Sequence, residues 1–276
     1  MFEKNINDFK QFIKENKKNT SIRLYFDIET LTYNKMKGKE KPTFFKNVTY
    51  SVAISYYNNN DLLKIALFPN FKEFFVAIFE ACTSRKKISC KARIELIAHN
   101  NNKYDNHFLL HDLIFYYPFI ERKNLFLKNA DDNINALTVK ELTKEMKQGI
   151  ILEKRIKTRN NMELEFFING IHFKTIDNFM KTNLSIKTLG EKLLKINRIK
   201  EKELKTSFEY DSFDIETDMN ENEAHTYAKK CWQKLTKEQF TYIKNDVIIL
   251  AKAVKYYSEL FIGFDWEKIT FTSNIL

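Results

Sequence analysis

Crosslinks, chain breakers and long apolar runs are all scarce in this sequence. Of 276 residues, three are cysteine, five are glycine and three are proline. Cys82, Cys90 and Cys231 lie far apart and form no C-x-x-C pair, which argues against a disulfide framework or a thiolate zinc site and leaves reduced thiols in a cytoplasmic setting. No apolar run approaches the roughly 18 residues of a membrane span, so no membrane partner is expected. The opening Met1-Phe2-Glu3-Lys4-Asn5 has none of the apolar core of a secretory signal. Neither G-x-x-x-x-G-K-S/T nor G-x-G-x-x-G occurs, which removes the common nucleotide-cofactor loops. His107 and His111 stand four apart, but the glutamate of H-E-x-x-H is missing, so they read as satisfied or exposed histidines rather than peptidase ligands.

What is present is an apolar, aromatic and basic chain. Hydrophobic residues make up 43% and aromatics 14%, with 25 phenylalanines, enough to bury the core of one large domain over 1–276. The formal net charge is +10, an electrostatic reason for a phosphate-bearing partner to approach. Biased coding toward Lys, Asn, Ile and Phe accounts for the basicity equally well, so charge alone decides nothing.

Apolar spacing predicts an amphipathic helix over 5–17, with Ile6, Phe9, Phe12 and Ile13 on one face. A strand through Asp27 follows, then a basic loop of Lys35, Lys37, Lys39 and Lys41, then strands over 49–57 and 62–68. Asn70 caps a helix bearing Phe71, Phe74, Phe75, Ile78 and Phe79; a buried strand over 94–98 leads into a helix from about Tyr104. Residues 123–161 lack clear signals and read as an insertion. Asn169-Gly170 between apolar runs predicts a type I′ hairpin over 163–176. Helices over 186–195, 224–234 and 236–261 complete an α/β order, with an acidic loop over 209–223.

Arg23-Leu24-Tyr25-Phe26-Asp27-Ile28-Glu29-Thr30 carries the chemistry. Side chains at i and i+2 of a strand share a face, so Asp27 and Glu29 can share a cation. A surface strand end explains the pair equally well when it is taken alone. Asp-Ile-Glu-Thr recurs at 214–217, but among Glu209, Asp211, Asp218 and Glu221 it reads as a solvated acidic loop. Asp105 falls at a helix start, where capping also favours an acid. Phe108, one turn on, fits either base stacking or the core. Tyr242 and Asp246 share a helical face, where a Tyr–Asp hydrogen bond is the plainer role.

In order and context, D-x-E on an early strand, an asparagine followed by Tyr104-Asp105 at a strand-to-helix junction, and Y-x-x-x-D on a late helix resemble the DEDD superfamily of 3′-5′ exonucleases, tyrosine subclass. The resemblance is closest to the exonuclease domain of protein-primed family B DNA polymerases of small phages and linear plasmids. Leu204-Lys205-x-x-x-x-Tyr210 and the approach 235–242 resemble further elements of that family. The resemblance implies an α/β, ribonuclease H-like (DnaQ-like exonuclease) fold with a mixed sheet flanked by helices. It implies two divalent cations, Mg²⁺ or Mn²⁺, held by Asp27, Glu29, Asp105 and Asp246. Tyr242 would orient the attacking water and Lys205 would assist. Thr30, Asn100 or Asn101, Tyr104, Phe108 and Tyr210 match positions that hold single-stranded DNA, and Asn178-Phe179 stands where the family has Ser-Leu. The implied partners are single-stranded DNA or a primer 3′ terminus, a polymerisation domain and a terminal protein, for a monomer in the cytoplasm, that of the host if phage-encoded.

Neither S-L-Y-P nor Y-x-D-T-D occurs before Leu276, so no polymerisation domain is expected in this chain, which reads as the exonuclease region of a longer polymerase or a separate exonuclease. A non-catalytic nucleic-acid-binding or docking module with the same fold is the alternative, and a ribonuclease of the same superfamily is a third reading.

Overall fold

A computed structural model describes residues 2–33, 47–84, 87–100, 104–116, 150–158, 161–168, 170–207, 210–215 and 218–260. Helix α1 (Phe2–Asn16) leads into strand β1 (Ser21–Thr32), which pairs antiparallel with β2 (Asn47–Tyr57), itself followed by β3 (Leu63–Phe68). Helix α2 (Phe71–Cys82) starts at Asn70, whose side chain accepts a hydrogen bond from the Glu73 amide at 3.0 Å. This is the cap expected from sequence. A two-stranded ribbon, β4 (Thr83–Ser84) with β5 (Lys87–Ile88), precedes β6 (Arg93–Ala98) and α3 (Asp105–Tyr116). Strands β7 (Ile150–Thr158), β8 (Asn161–Ile168) and β9 (Ile171–Asp177) come next, then helices α4 (Ile186–Lys195), α5 (Glu221–Gln233) and α6 (Lys237–Leu260).

The main sheet runs β3-β2-β1-β6-β9-β8-β7. β6 is parallel to both β1 and β9, and the other pairs are antiparallel, so the sheet is mixed and flanked by helices. The hairpin pairs Ile168 with Ile171, and Gly170 has a φ of 78°, the left-handed value its turn position demands. Within the segment read as an insertion, 150–158 form the edge strand β7; 117–149 lie outside the described residues, as does the basic loop at 34–46.

Strand alternation divides β1 between two apolar layers. Leu24, Phe26 and Ile28 face the main core, with Phe9, Phe12 and Ile13 of α1 and Phe71, Phe74 and Phe75 of α2. Tyr25 faces the opposite side, against Leu250, Ala251 and Val254 of α6, and Leu31 packs with Ala224 and Ala228 of α5. Asp27 and Glu29 therefore lie on the face that α6 crosses. Among the described residues no helix is long and apolar enough to cross a membrane.

In the second Asp-Ile-Glu-Thr, Asp214 and Ile215 depart from the solvated loop expected; 216–217 lie outside the described residues. Asp214 Oδ1 accepts the Thr32 amide at 2.7 Å, and the Ile215 amide donates to the Thr32 carbonyl at 2.9 Å. Ile215 also packs against the Leu31 cluster. The Asp214 carboxylate and the Ile215 amide and side chain together dock this segment on the end of β1.

Candidate active site

The parallel strands β1, β6 and β9 end at one edge of the sheet, where open α/β sheets commonly bind ligands. Tyr25 is the last β1 residue paired with β6, so Asp27 stands just beyond that strand, beside His99 and Asn100. Opposite Glu29 and Thr30 the partner strand β2 carries an extra residue, Tyr50, between Thr49 and Ser51, a bulge of the kind that changes local twist at a sheet edge. Asp105 opens α3 and is 4% exposed. Asp246 lies within α6, one turn before the apolar contact of Leu250 with Tyr25, and is also buried.

These acids act on one another electrostatically. Burial and then repulsion from Asp246 push the Asp27 carboxyl up to about 7, against the pull of Lys205. Glu29 is pushed well above the ordinary carboxylate range by burial, then by Asp27 and Asp246. Asp105 is likewise raised by burial and by Asp27. Asp246 is raised by burial, while Lys205 and the Tyr242 hydroxyl oppose the shift. Acids from three distant segments thus raise one another through the low-dielectric interior, and like charges there favour either protons or a bound cation.

Among the described residues Lys205 acts on these acids as a cation. Its Nζ donates to Asp246 Oδ2 at 2.5 Å and lies 4.9 Å from the centre of the Tyr242 ring. The other oxygen, Asp246 Oδ1, is buried and accepts no hydrogen bond. Asn245 delivers the lysine: its Nδ2 donates to the carbonyls of Lys202 at 3.0 Å and Leu204 at 2.7 Å. Lys252 fastens the same segment through Glu203 at 2.9 Å. Asn245 stands beside Asp246 in the sequence, but its function depends on a strand of chain 41 residues away that periodicity does not reveal.

Thr30 Oγ1 and the Tyr104 hydroxyl share a 2.8 Å hydrogen bond, and Tyr104 is 42% exposed. Phe108 is 2% exposed and belongs to the main core, with its ring centre 4.8 Å from that of Tyr104. Of this pair the aromatic open to solvent is therefore Tyr104, and the core role weighed for Phe108 is the one observed. Asn100 has a φ of 65° and donates its amide to Asp177 Oδ1 at 2.8 Å, which also accepts from the Phe179 amide at 2.8 Å. Asn101 lies outside the described residues; Tyr210 begins a short 3₁₀ turn, with its side chain outside the description.

A cavity of about 290 Å³ opens beside Asp27 and Asp246. Lys205, His99, Asn100 and Ser185 supply its other polar lining, and Phe26, Phe179, Ile186 and Leu250 its apolar walls. His99, inside the second sequence segment yet unassigned there, pairs through Nδ1 with Asn178 Nδ2 at 3.3 Å. Burial pulls its imidazole down to about 4. A lowered folded value means stability present above the unfolded value of roughly 6.5 and lost as pH falls through about 4. His99 ring resonances are therefore expected to stay in the neutral form from pH 8 to pH 5 by NMR; a titration midpoint near 6.5 would refute the buried, neutral assignment.

No family model matches the chain, and no curated protein matches it. Solved structures do. Phi29 DNA polymerase complexed with primer-template DNA, in a post-translocation binary complex, aligns with a TM-score of 0.54 and 16% identity over 93% of this chain. The same polymerase complexed with single-stranded DNA aligns with a TM-score of 0.53 and 17% identity over 92%. The likeness is one of fold. In both cases this chain spans 34% of the polymerase chain, about a third of its length.

Proposed function

We propose that this chain is a metal-dependent 3′-5′ exonuclease of ribonuclease H-like fold, acting on single-stranded DNA or a frayed primer end in association with a DNA polymerase. The carrying observation is the mutual repulsion among Asp27, Glu29, Asp105 and Asp246, with Lys205 bonded to Asp246. DNA as substrate is supported by fold likeness to a polymerase whose solved complexes contain primer-template and single-stranded DNA.

The donor set fits hard divalent cations. It is all oxygen, when ionised it carries more negative charge than Lys205 neutralises, and the buried Asp246 Oδ1 lacks a donor in good geometry. When bound by Asp27, Glu29, Asp105 and Asp246, Mg²⁺ or Mn²⁺ would supply Lewis-acid polarisation of the scissile phosphate and a more acidic water. The protein contributes positioning and electrostatics. Tyr242 and Lys205 flank Asp246, the first to orient the attacking water and the second to stabilise charge on the phosphate oxygens. Thr30, Tyr104 and Asn100 hold the strand, and Phe179 offers an apolar wall for the terminal nucleoside. Water adds to phosphorus, the bond to the 3′ oxygen breaks, and the products are a nucleoside 5′-monophosphate and a shortened strand ending in a 3′ hydroxyl. A polymerisation domain and a terminal protein are the corresponding partners.

The test is a 5′-labelled oligonucleotide, as DNA and as RNA, incubated with the chain in Mg²⁺ or EDTA. A ladder shortening from the 3′ end of the DNA, present only with metal, is expected. Equal or faster shortening of RNA moves the reading to a ribonuclease. Tight binding without cleavage in Mg²⁺ or Mn²⁺ identifies a docking module instead.

A further inference from the structure

On the distal half of α3, away from the carboxylate cluster, lies a second group of donors with different chemistry. His111 and Asp112 come from α3 and His225 from α5, and one ligand atom from each lies within 4.8 Å of the others. Asp112 is 1% exposed, and neither of its carboxylate oxygens has a donor in good hydrogen-bond geometry, although His111, the Thr49 hydroxyl and the Phe71 amide come near enough to favour its ionised form against the upward push of burial. A buried carboxylate in that state calls for a cation, because ionised oxygens removed from water need either donors or a metal.

The orientation of His111 supplies an independent indication. Its Nε2 lies 3.1 Å from Glu221 Oε1, while its Nδ1 points to Asp112 Oδ1 at 4.0 Å. That is the arrangement of a metal-binding histidine, which gives one ring nitrogen to the ion and donates the other N–H to a carboxylate. The 4.0 Å gap is too long for a hydrogen bond. Two ligands bonded at about 2.1 Å to a tetrahedral ion stand roughly 3.4 Å apart, so modest side-chain rotation closes the site. Glu221 and His225 sit four residues apart in α5 and share a face, which brings the ligand and the orienting carboxylate in on one helix.

We infer that His111, Asp112 and His225, with Glu221 orienting His111, form a binding site for a divalent transition metal, Zn²⁺ first among them, that fastens α3 to α5. Two imidazoles and one carboxylate select zinc over the hard cations suited to an all-oxygen cluster. Because α3 begins with Asp105, two turns before Asp112, the ion anchors the helix that presents a candidate catalytic acid. The inference does not depend on the exonuclease reading, and a failure of either leaves the other standing.

The experiment strips the purified full chain with chelator, restores Zn²⁺ and measures bound metal after gel filtration, with competition against a chromophoric chelator. One equivalent of zinc is expected on the wild type, and Co²⁺ in its place should give visible absorption bands of a nitrogen- and oxygen-ligated ion. Asp112→Asn and His225→Gln should each weaken zinc binding roughly tenfold or more, with circular dichroism confirming the fold, whereas an Asp27→Ala/Asp246→Ala variant should keep it. Wild-type protein that retains no zinc and shows no Co²⁺ bands overturns the proposal without reference to any variant. So does zinc binding that survives His225→Gln or is lost only in the Asp27/Asp246 variant.

Discussion

Asp27→Ala is expected to lower DNA hydrolysis in Mg²⁺ on the order of 10³-fold or more while leaving much of the DNA affinity, since it removes a carboxylate that couples to both Asp246 and Glu29. The same site should show an opposite effect on stability. A carboxyl held up at about 7 in the fold but near its ordinary value when unfolded contributes stability below about 4 that is lost as pH rises through about 7. In EDTA at pH 8 the isosteric Asp27→Asn should therefore melt above the wild type, and the gap should close as pH falls toward 4. Addition of Mg²⁺ should raise the wild-type Tm more than that of the variant. Full turnover in Asp27→Ala would end the assignment of this cluster as the hydrolytic site. A wild type that melts above Asp27→Asn in EDTA at pH 8 would show that the acids do not repel one another. The expected pattern is that of a site whose function is maintained against local stability.

Phe75→Ala is expected to be the most destabilising single substitution in the core. Its ring is fully buried, 5.1 Å from Phe74 and 5.2 Å from Phe173, with Phe71, Phe79 and Phe166 also in ring contact. It joins α2 to the β8–β9 hairpin, so truncation leaves a cavity that neither a helix nor a hydrogen-bonded sheet can collapse to fill. The expected loss is about 3–5 kcal/mol, read as a lower urea midpoint with an unchanged slope. Phe75→Leu should recover most of it. A loss below about 1 kcal/mol for the alanine variant would mean that this aromatic layer repacks freely.

These two residues differ in how readily the sequence reveals them. Phe75 belongs to a run of phenylalanines at helical spacing behind a capping asparagine, and the predicted helix matches α2 in position and buried face. The β8–β9 hairpin, β1 and the long α6 were legible for the same reason: period and turn chemistry are local properties. Asp27 and Glu29 were legible as a pair because strand alternation alone puts them on one face. Phe108 was not, since spacing four residues from Tyr104 is shared by a core residue and a surface one. Asp214 misled in the other direction: its acidic neighbours suggested solvent, but a backbone amide of β1 claims its carboxylate. His111 was compared with His107, its neighbour at helical spacing, whereas its partner in space is His225 on another helix.

By itself the sequence determined an α/β element order, the apolar faces of its strands and helices, and which acids are candidates for metal chemistry, because each depends on residues a few positions apart. Only the tertiary structure decided that Asp246 acts on Asp27, that Asn245 brings Lys205 to Asp246, that burial lowers the His99 imidazole beside a cavity, and that His111, Asp112 and His225 converge. Those contacts are made between residues of different strands, helices and loops far apart in the sequence, and their energies depend on distance and burial in the folded molecule, which no local pattern encodes.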